Sequence, residues 1–348
     1  MTPLDEQLHP VRLPHRYWSE SFYFSFLDSD GGWGGSARIA FSPNQGCKDG
    51  FIIFYFPDGK AGFIRCWERT TDATAAAVTA VQGLEFTCRD PFQRWHLRYA
   101  GPVFVFDDPA DAGNFYLTTL HALPTRQVDI DLEFATVHAP FDFHDSMTIR
   151  LLPPARLLAK LRPGYVFHHF APGMSKLSQM RIMGGASHYE QAGVITGTIT
   201  VDGVRHTFRG TGQRDHSWGV RDMRMINNWQ WFSCQFGQDM AFNVTRVEIL
   251  GFAAVGGHAW YQGGCHPLRR LQLTTDYDTS GRWGRRALIR MDVGLDSMIE
   301  IESHAIINLP VHVSTEGQSA CVHEALARFS WQGRSASGIS EYMSQVAA

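Results

Sequence analysis

Hydrophobic and polar residues alternate along most of this 348-residue chain, and glycine or Asp-Gly turns interrupt the alternation. The clearest case is the segment 195–208, in which two alternating runs flank Asp202-Gly203. In the first run, 195–201, isoleucine and valine fall on one face and threonine on the other. Because side chains of a strand point alternately to its two faces, and Asp-Gly favours a two-residue turn, this segment predicts a β-hairpin.

Similar alternation predicts strands through much of the chain, whereas few segments predict helices. The other predicted strands are Phe22–Phe26, Ala37–Phe41, Phe51–Phe56, Leu84–Arg89, Trp95–Tyr99, Gln127–Thr136, Trp229–Phe236, Ala241–Ile249, Arg286–Val293 and Met298–His304. Short helices are predicted at Pro154–Leu161 and Met174–Met183, and the alanine-rich segment Ala73–Val81, interrupted by threonine and valine, stays open. Many strands at this spacing are typical of an all-β sandwich or barrel.

The chain length and a faint internal repeat predict two domains. A chain of 348 residues is long for one hydrophobic core. The aromatic strand at 17–26, a turn and two further strands resemble the order that begins at 229–236. Proline, glycine and the predicted short helices concentrate between residues 160 and 195, so we expect domains at 1–183 and 184–348.

Composition and charge favour a globular protein that binds neither nucleic acid nor membrane. Hydrophobic residues make up 44% of the chain and aromatic residues 13%, which is typical of a sheet-rich globular protein. The formal net charge of −3 gives no long-range attraction to nucleic acid or to an anionic membrane. No apolar run reaches the roughly 20 residues of a membrane span, and the first residues lack a signal-peptide pattern. The six cysteines form no Cys-x-x-Cys pair, so we expect reduced thiols in a cytoplasmic protein.

The densest group of charged side chains lies in the segment Gly210–Asp222, directly after the predicted hairpin. It reads Gly-Thr-Gly-Gln-Arg-Asp-His-Ser-Trp-Gly-Val-Arg-Asp. Buried charges need partners, and the planar guanidinium group pairs well with carboxylates. We therefore interpret Arg214, Arg221 and Asp222 as structural ion pairs.

The centre of this segment also carries candidate chemistry. Asp215 and His216 are neighbours in the sequence and therefore point to opposite faces of a regular strand. Trp218 shares the face of His216, which predicts an imidazole and an indole lining one cavity. A neutral imidazole can deprotonate water, and an indole face can stabilise a carbocation by up to about 2 kcal/mol. Simple core packing of Trp218 is an equal alternative.

A second candidate set is His188-Tyr189-Glu190, in which His188 and Glu190 share a strand face and Tyr189 points the opposite way. A glutamate in an apolar barrel has a raised pKa and can donate a proton near neutral pH. The alternative is an ion pair of Glu190 with Arg214 or Arg221 across the sheet.

Other signals are weaker. Trp229 and Trp231 share one strand face, where indoles either fill a core or line a ligand cavity. The chain has no His-x-His or His-Glu-x-x-His spacing, no Walker sequence and no Gly-x-Ser-x-Gly elbow. We therefore expect neither a metal nor an organic cofactor.

The run His188-Tyr-Glu-Gln191, a hairpin and Gly-x-Gly-x-Arg-Asp-His-Ser-Trp-Gly-x-Arg-Asp together resemble the signature of the carotenoid 1,2-hydratase (hydroxyneurosporene synthase) and AttH-like superfamily. The terminal segment Gly333–Glu341 is similar to the closing strands of that family. The resemblance implies two tandem lipocalin-like antiparallel β-barrel domains with an apolar pocket near their junction. It also implies isoprenoid or polyketide-like substrates, hydration or cyclisation reactions, and no metal or organic cofactor.

The resemblance further implies roles for single residues. His216 and Trp218 match a His-x-Trp pair that is among the residues proposed for catalysis in the hydratases. A Tyr-x-Asp pair on the next strand is proposed to supply the proton there. At the corresponding place this chain reads Phe242-Asn243-Val244-Thr245, so that proton donor is missing.

Two functions stay open on the sequence alone. The first is a cofactor-independent lyase, hydratase or isomerase that acts on a hydrophobic terpenoid- or polyketide-like molecule between two barrels. The second is a carrier that binds such a molecule without transforming it. In the enzyme hypothesis His216 is the base or the group that orients water, and Glu190 or Asp215 is the acid. The predicted substrate-binding residues are Trp218, His188, Tyr189, Trp229, Trp231 and Asn243. The sequence predicts no oligomeric state.

Overall fold

The computed structural model confirms an all-β protein. It describes residues 1–11, 15–29, 32–70, 78–114, 120–151, 187–223, 226–249, 252–315 and 318–346. Within these residues the chain forms 21 strands, and the only helical segments are 3₁₀ turns of three to six residues. No described helix has both the length and the apolar character needed to cross a membrane.

The first sheet has 11 antiparallel strands and closes on itself. Its strands are β1 (Trp18–Asp28), β2 (Gly34–Ser42), β3 (Cys47–Tyr55), β4 (Ala61–Arg69), β5 (Val78–Val81), β6 (Leu84–Asp90), β7 (Arg94–Phe106), β8 (Thr125–Thr136), β9 (Phe141–Asp142), β11 (Ser187–Val201) and β12 (Val204–Val220). The order is β4-β3-β2-β1-β12-β11-β8-β7-β6-β5, and an additional pairing of β4 with β7 closes eight of these strands into a barrel.

The second sheet has 10 antiparallel strands. Its strands are β10 (Thr148–Leu151), β13 (Ile226–Gln235), β14 (Met240–Ile249), β15 (Phe252–Tyr261), β16 (Gly264–Pro267), β17 (Arg270–Tyr277), β18 (Gly284–Asp292), β19 (Ile299–Thr315), β20 (Gln318–Trp331) and β21 (Arg334–Val346). The order is β10-β15-β14-β13-β21-β20-β19-β18-β17, with β16 beside β15. The two curled sheets match the predicted pair of lipocalin-like barrels.

The sheets divide the chain differently from the expected domains 1–183 and 184–348. Strands β11 and β12, which follow the expected boundary, pair with β8 and β1 and belong to the first barrel. Strand β10, which precedes it, pairs with β15 in the second sheet. The reason is long-range pairing: the register between β1 and β12 joins segments almost 200 residues apart, which no local repeat reveals.

The predicted hairpin is confirmed. Strands β11 and β12 pair from Ser187↔Trp218 to Val201↔Val204. Asp202 and Gly203 have φ angles of 50° and 83°. A two-residue type I′ hairpin turn requires positive φ at both of its central residues. Each of the other predicted strands overlaps an observed strand.

The helical predictions are not tested. The segments Pro154–Leu161 and Met174–Met183 lie outside the described residues, as does most of Ala73–Val81. The last four residues of Ala73–Val81 form β5.

Each sheet encloses an apolar core, and a third apolar cluster joins the sheets. The third cluster combines Tyr23, Tyr55 and Phe106 of the first sheet with side chains of the second. The members from the second sheet are Trp231, Ile307, Leu309, Leu326 and Ile339. We call this contact between the two sheets the junction. It brings the outer face of β11 and β12 against the second sheet.

Candidate active site at the junction

The hairpin β11–β12 carries its charged residues to two separate places. In its register Tyr189 lies opposite His216, and Glu190 lies opposite Asp215. Cross-strand partners share a face, so Tyr189 and His216 point into the first barrel while Glu190 and Asp215 point to the junction. The expected opposite orientation of Asp215 and His216 is found. The expected base and the two candidate acids therefore do not meet in one pocket.

Inside the first barrel, Arg214 is the centre of a buried ion pair. Its guanidinium donates to both carboxylate oxygens of Glu6, with an Nη1–Oε2 distance of 2.8 Å. Nη2 also donates to the Tyr189 hydroxyl at 2.9 Å, and Tyr189 donates to Glu6. The Trp95 indole donates to Glu6 Oε2 at 2.7 Å. Burial raises the pKa of Glu6, but the Arg214 charge and these hydrogen bonds lower it to about 2.

This pairing differs from the ion pairs considered from the sequence. The partner of Arg214 is not Glu190, which lies on the opposite face, but a glutamate of the N-terminal 3₁₀ turn Pro3–Glu6. The sequence shows no sign of this contact, because it spans 208 positions and the N-terminal segment has no periodic pattern. We define Glu6, Glu20, Tyr189, Arg214 and His216 as the inner cluster.

His216 is fully buried within the inner cluster. Its Nε2 lies 2.8 Å from Glu20 Oε1, and its Nδ1 lies 3.0 Å from the Tyr189 hydroxyl. The Phe22 ring stacks on the imidazole with centroids 3.9 Å apart. Burial is the main cause that lowers the pKa of His216, although Glu20 opposes it. The imidazole is therefore neutral and held on both nitrogens.

Trp218 shares the face of His216, as expected, but its indole is covered by the N-terminal segment. His9 stacks on it with ring centroids 3.8 Å apart and planes 11° apart. The His9 Nδ1 lies 2.8 Å from Glu20 Oε1. Burial lowers the pKa of His9, but Glu20 and Asp5 reverse this effect and raise it. The chamber expected beside His216 and Trp218 is thus occupied by protein side chains.

On the junction face, His188 lies between two carboxylates. Its Nε2 is 3.0 Å from Glu190 Oε1 and 2.9 Å from Asp215 Oδ2. The Phe143 ring stacks on it at 4.4 Å. Burial lowers the pKa of His188, but Asp215 and Glu190 outweigh burial and raise it to about 10. Burial raises the pKa of Asp215, but His188 lowers it to about 2. His188 and Asp215 are therefore an imidazolium–carboxylate pair at neutral pH.

Glu190 has a different electrostatic environment. Its side chain is fully buried, and it accepts hydrogen bonds from Gln213 Nε2 at 2.8 Å and from Trp231 Nε1 at 3.1 Å. Burial raises the pKa of Glu190 above the ordinary value, and His188 only partly offsets this effect. Of the two predicted acids, Glu190 is thus the one whose environment favours the protonated form.

The second sheet contributes two carboxyl groups that the sequence did not single out. Glu324 on β20 lies directly opposite Glu341 on β21, so their Cβ atoms are about 4.5–5.5 Å apart. The Tyr23 hydroxyl donates to Glu324 Oε1 at 2.6 Å, and the Trp229 indole donates to Glu341. Burial raises the pKa of Glu341 well above its usual range, and the Glu324 charge adds to this effect. The two residues are 17 positions apart, and only the strand register brings them together.

Asn243 and His258 lie on the same face of the second sheet, opposite each other on β14 and β15. Both are buried, with exposed fractions of 0% and 1%. In the described structure, three of their polar atoms have no hydrogen-bond partner: Nδ2 and Oδ1 of Asn243, and Nδ1 of His258. Phe141, which lies opposite Glu190 on β11, stacks on the His258 ring at 4.4 Å.

The remaining predicted charged residues lie at the end of β12. Arg221 is half-buried, and its backbone N–H donates to the Tyr17 carbonyl at 2.8 Å. Burial lowers the pKa of Arg221, and the Asp215 charge opposes this effect. Asp222 is buried, and its role in an ion pair stays a prediction.

Two sets of three side chains have the donor types of a metal site. They are His9, Glu20 and His216 in the first barrel, and His188, Glu190 and Asp215 at the junction; in each set the ligand atoms lie within 4.8 Å of one another. In both sets the imidazole nitrogens already contact the carboxylates directly, at 2.8–3.0 Å. These contacts explain the first set by hydrogen bonds of His9 and His216 to Glu20, and the second set by ion pairs of His188 with Glu190 and Asp215.

Two surface grooves are found away from the junction. One of about 750 Å³ is lined by Arg16, Asn44, Gln45, Cys47 and Trp67. The other, of about 360 Å³, is lined by Arg246, Ala253, Val255, Arg269, Arg270, Leu271 and Leu273. Neither is lined by the predicted site residues.

Solved structures share this fold over almost the whole chain. A protein provisionally designated AttH from Nitrosomonas europaea superposes with a TM-score of 0.59 at 13% identity, over 94% of this chain and 92% of that chain. Kievitone hydratase from Nectria haematococca gives a TM-score of 0.55 at 9% identity, over 99% and 92%. CghA gives 0.53 at 10% identity, over 95% and 89%. At these identities the likeness concerns the fold.

Sequence comparison identifies the family. No curated protein matches the chain. One family model, described as Domain of unknown function (DUF7064), matches residues 2–346. Since the match covers nearly the entire sequence, the chain belongs to the DUF7064 family.

Proposed function

We propose that this protein is a cofactor-independent enzyme that adds, removes or moves a proton on a hydrophobic small molecule at the junction, as a hydratase, dehydratase or isomerase. The observation that carries the proposal is Glu190: a fully buried carboxyl group beside His188 and Trp231 at the contact between the two sheets. Perturbed titratable groups of this kind concentrate at catalytic sites.

Glu190 is the proton donor and acceptor in this proposal. A raised pKa increases the protonated share of a carboxyl group; in that form it can protonate a double bond or a leaving hydroxyl group, and in its ionised form it takes a proton back. The His188–Asp215 pair sets the local charge, because the imidazolium lies between both carboxylates. Asp215 acts as the counter-ion of His188 and not as the acid.

The aromatic side chains supply the wall for an apolar substrate. Trp231 contacts Glu190 directly, and Tyr23 packs edge-on against Trp231 with centroids 5.7 Å apart. Trp229 lies two residues from Trp231 on the same face. Indole faces stabilise a positive charge that develops on a substrate carbon when a double bond is protonated. Terpenoid and polyketide-like molecules provide such double bonds, and one fold neighbour is named a hydratase.

In this proposal the inner cluster has a structural role. His216, which the sequence analysis considered as the base, is held by Glu20 and Tyr189 inside the first barrel. It keeps the hairpin in register, so that Glu190 and Asp215 are presented to the junction. Trp218 and Tyr189 have the same structural role as His216.

The second candidate function is a carrier of hydrophobic molecules. The observation that favours it is that every candidate acid or base in the described structure already has a protein partner, including Glu190 with Gln213. The carrier hypothesis predicts binding without turnover.

The experiment compares Glu190→Gln with the native protein. Native mass spectrometry of the purified protein identifies co-purified hydrophobic ligands, and these are then incubated with the protein in D₂O. We expect the native protein to incorporate deuterium or to change mass by one water, and Glu190→Gln to lose at least about 100-fold in rate while binding is retained. Glu302→Gln, on the exposed side of β19, is the matched control. Equal rates in Glu190→Gln and the native protein contradict the proposal, and binding without turnover by the native protein supports the carrier.

A further inference from the structure

We propose that Asn243 and His258 form a binding site for one uncharged oxygen group, a hydroxyl or a carbonyl, on the hydrophobic molecule that occupies the junction. The inference deepens the proposed function and rests on it for the location of the ligand. It assigns a substrate class: an apolar molecule with an oxygen substituent near the carbon that exchanges a proton.

Three buried polar atoms of Asn243 and His258 lack hydrogen-bond partners among the described residues. The Asn243 amide offers two N–H donors and a carbonyl acceptor, and neither its Nδ2 nor its Oδ1 has a partner among the residues that the structure describes. Within the same residues the Nδ1 of His258, on the neighbouring strand, is also without one. A buried polar group without a hydrogen bond destabilises the folded protein, so three such atoms together are unfavourable. A ligand hydroxyl that accepts from Asn243 Nδ2 and donates to His258 Nδ1 satisfies two of the three atoms, and a carbonyl oxygen that accepts from Asn243 Nδ2 satisfies one.

Asn243 and His258 lie near the proposed proton donor Glu190. Asn243 is next to Ser233 on β13, and Ser233 follows Trp231 by two residues on the same face. On the other side, His258 touches Phe141, and Phe141 lies directly opposite Glu190. The polar pair is therefore separated from the proposed proton donor by a single aromatic ring. A ligand that contacts both must therefore extend past the Phe141 ring.

The polar side chains at this place carry no charge. Burial lowers the pKa of His258 well below its ordinary value, and the neighbouring His138 lowers it further. Burial also lowers the pKa of His138, whose Nε2 accepts from the Ala192 N–H at 3.0 Å. Both rings are neutral, and Asn243 carries no charge. The pair therefore suits an alcohol or ketone and disfavours a carboxylate or phosphate, which needs cationic partners when desolvated.

The test compares a sesquiterpene alcohol with the hydrocarbon formed from it by loss of water. Farnesol and the hydrocarbon farnesene are titrated into the native protein and into Asn243→Leu and His258→Phe, with tryptophan fluorescence as the readout. We expect the native protein to bind farnesol about 10-fold or more tightly than farnesene, the effect of one hydrogen bond. Both variants should reduce this ratio to within about 2-fold by weakening farnesol binding alone. Thr245→Val is the matched control, because Thr245 lies on the same face of β14 but already donates to the Gln230 carbonyl.

Two outcomes overturn the inference. One is equal affinity for both probes, or no binding of either, in the native protein. The other is a ratio that survives both substitutions. An Asn243→Leu variant that loses stability without ligand and keeps the ratio indicates a structural water only. The proposed function fails separately, through unchanged turnover in Glu190→Gln, and in that case the oxygen preference and its loss in Asn243→Leu still stand.

Discussion

The Tyr189 hydroxyl lies 3.0 Å from Nδ1 of His216 inside the first barrel, while Glu190, which follows Tyr189, and Asp215, which precedes His216, point to the junction. One hairpin thus separates a structural network from a candidate reactive one. The inner cluster fixes the strands, and the junction carries the groups with perturbed protonation. Substitutions on one face of the hairpin should therefore leave the other face unchanged.

The inner cluster should be a major source of stability. Replacing Glu6 by glutamine leaves the buried Arg214 guanidinium without its counter-charge, and breaking such a pair costs about 3–5 kcal/mol. Urea denaturation at pH 7 measures the loss. Glu68→Gln removes the partner of Lys48 in a half-exposed ion pair and should cost less than about 1 kcal/mol. Equal costs for the two variants contradict a structural role for the Arg214–Glu6 pair.

The same pair predicts an acid dependence. The folded-state pKa of Glu6, about 2, lies below its unfolded value of 4.5. The stability from Glu6 is therefore complete above about pH 4.5 and is lost as the pH falls toward 2. The difference in unfolding free energy between the native protein and Glu6→Gln should shrink over this range. A difference that is constant from pH 6 to pH 3 contradicts the assignment.

At the junction, His188 predicts the opposite dependence. Its pKa of about 10 is raised above the unfolded value of 6.5, so the stability it contributes is complete below pH 6.5 and is lost as the pH rises toward 10. His188→Gln removes this contribution, and its unfolding free energy should fall less steeply between pH 7 and pH 9.5. His304→Gln, on the exposed side of β19, is the control and should retain the native slope. Parallel slopes for native protein and His188→Gln contradict an imidazolium at this position.

Glu341 should destabilise the folded protein when ionised. Its folded-state pKa is raised, so stability declines as the pH rises through and above 4.5, where the unfolded glutamate ionises. Glutamine mimics the neutral acid, and we expect Glu341→Gln to raise the melting temperature at pH 8 but to change it little at pH 4. Glu302→Gln controls for the general effect of removing one negative charge. A lower melting temperature of Glu341→Gln at both pH values contradicts the prediction.

The residues that the sequence located well are those governed by local alternation. The β11–β12 hairpin, the opposite directions of Asp215 and His216, and the shared face of Trp229 and Trp231 follow from the two-residue period of a strand. The sequence also pointed correctly to His188 and Glu190 as a pair on one face, 3.0 Å apart in the structure.

Contacts between distant segments could not be predicted in this way. Glu6 reaches Arg214 from a short 3₁₀ turn, and Glu324 meets Glu341 only through the register of β20 and β21. The assignment of β12 to the first barrel depends on its pairing with β1, which carries no local signal. For the same reason the sequence grouped His216 with Glu190, although a sheet lies between them.

Trp231 belongs to the aromatic wall and is hydrogen-bonded to the proposed acid. Substituting it should shift the pH profile, an effect that a role in packing alone does not predict. Its indole N–H donates to Glu190 Oε1 at 3.1 Å and thereby lowers the pKa of that carboxyl group. In Trp231→Phe a smaller aromatic ring remains but the N–H donor is lost, so the pKa of Glu190 should rise further. If the protonated form of Glu190 is the active acid, the decline of kcat at high pH should move to higher pH in this variant. Trp229→Phe is the matched control on the same strand and face, because its N–H donates to Glu341 and not to Glu190. A profile that moves equally in both variants, or in neither, contradicts Glu190 as the group that sets the pH limit.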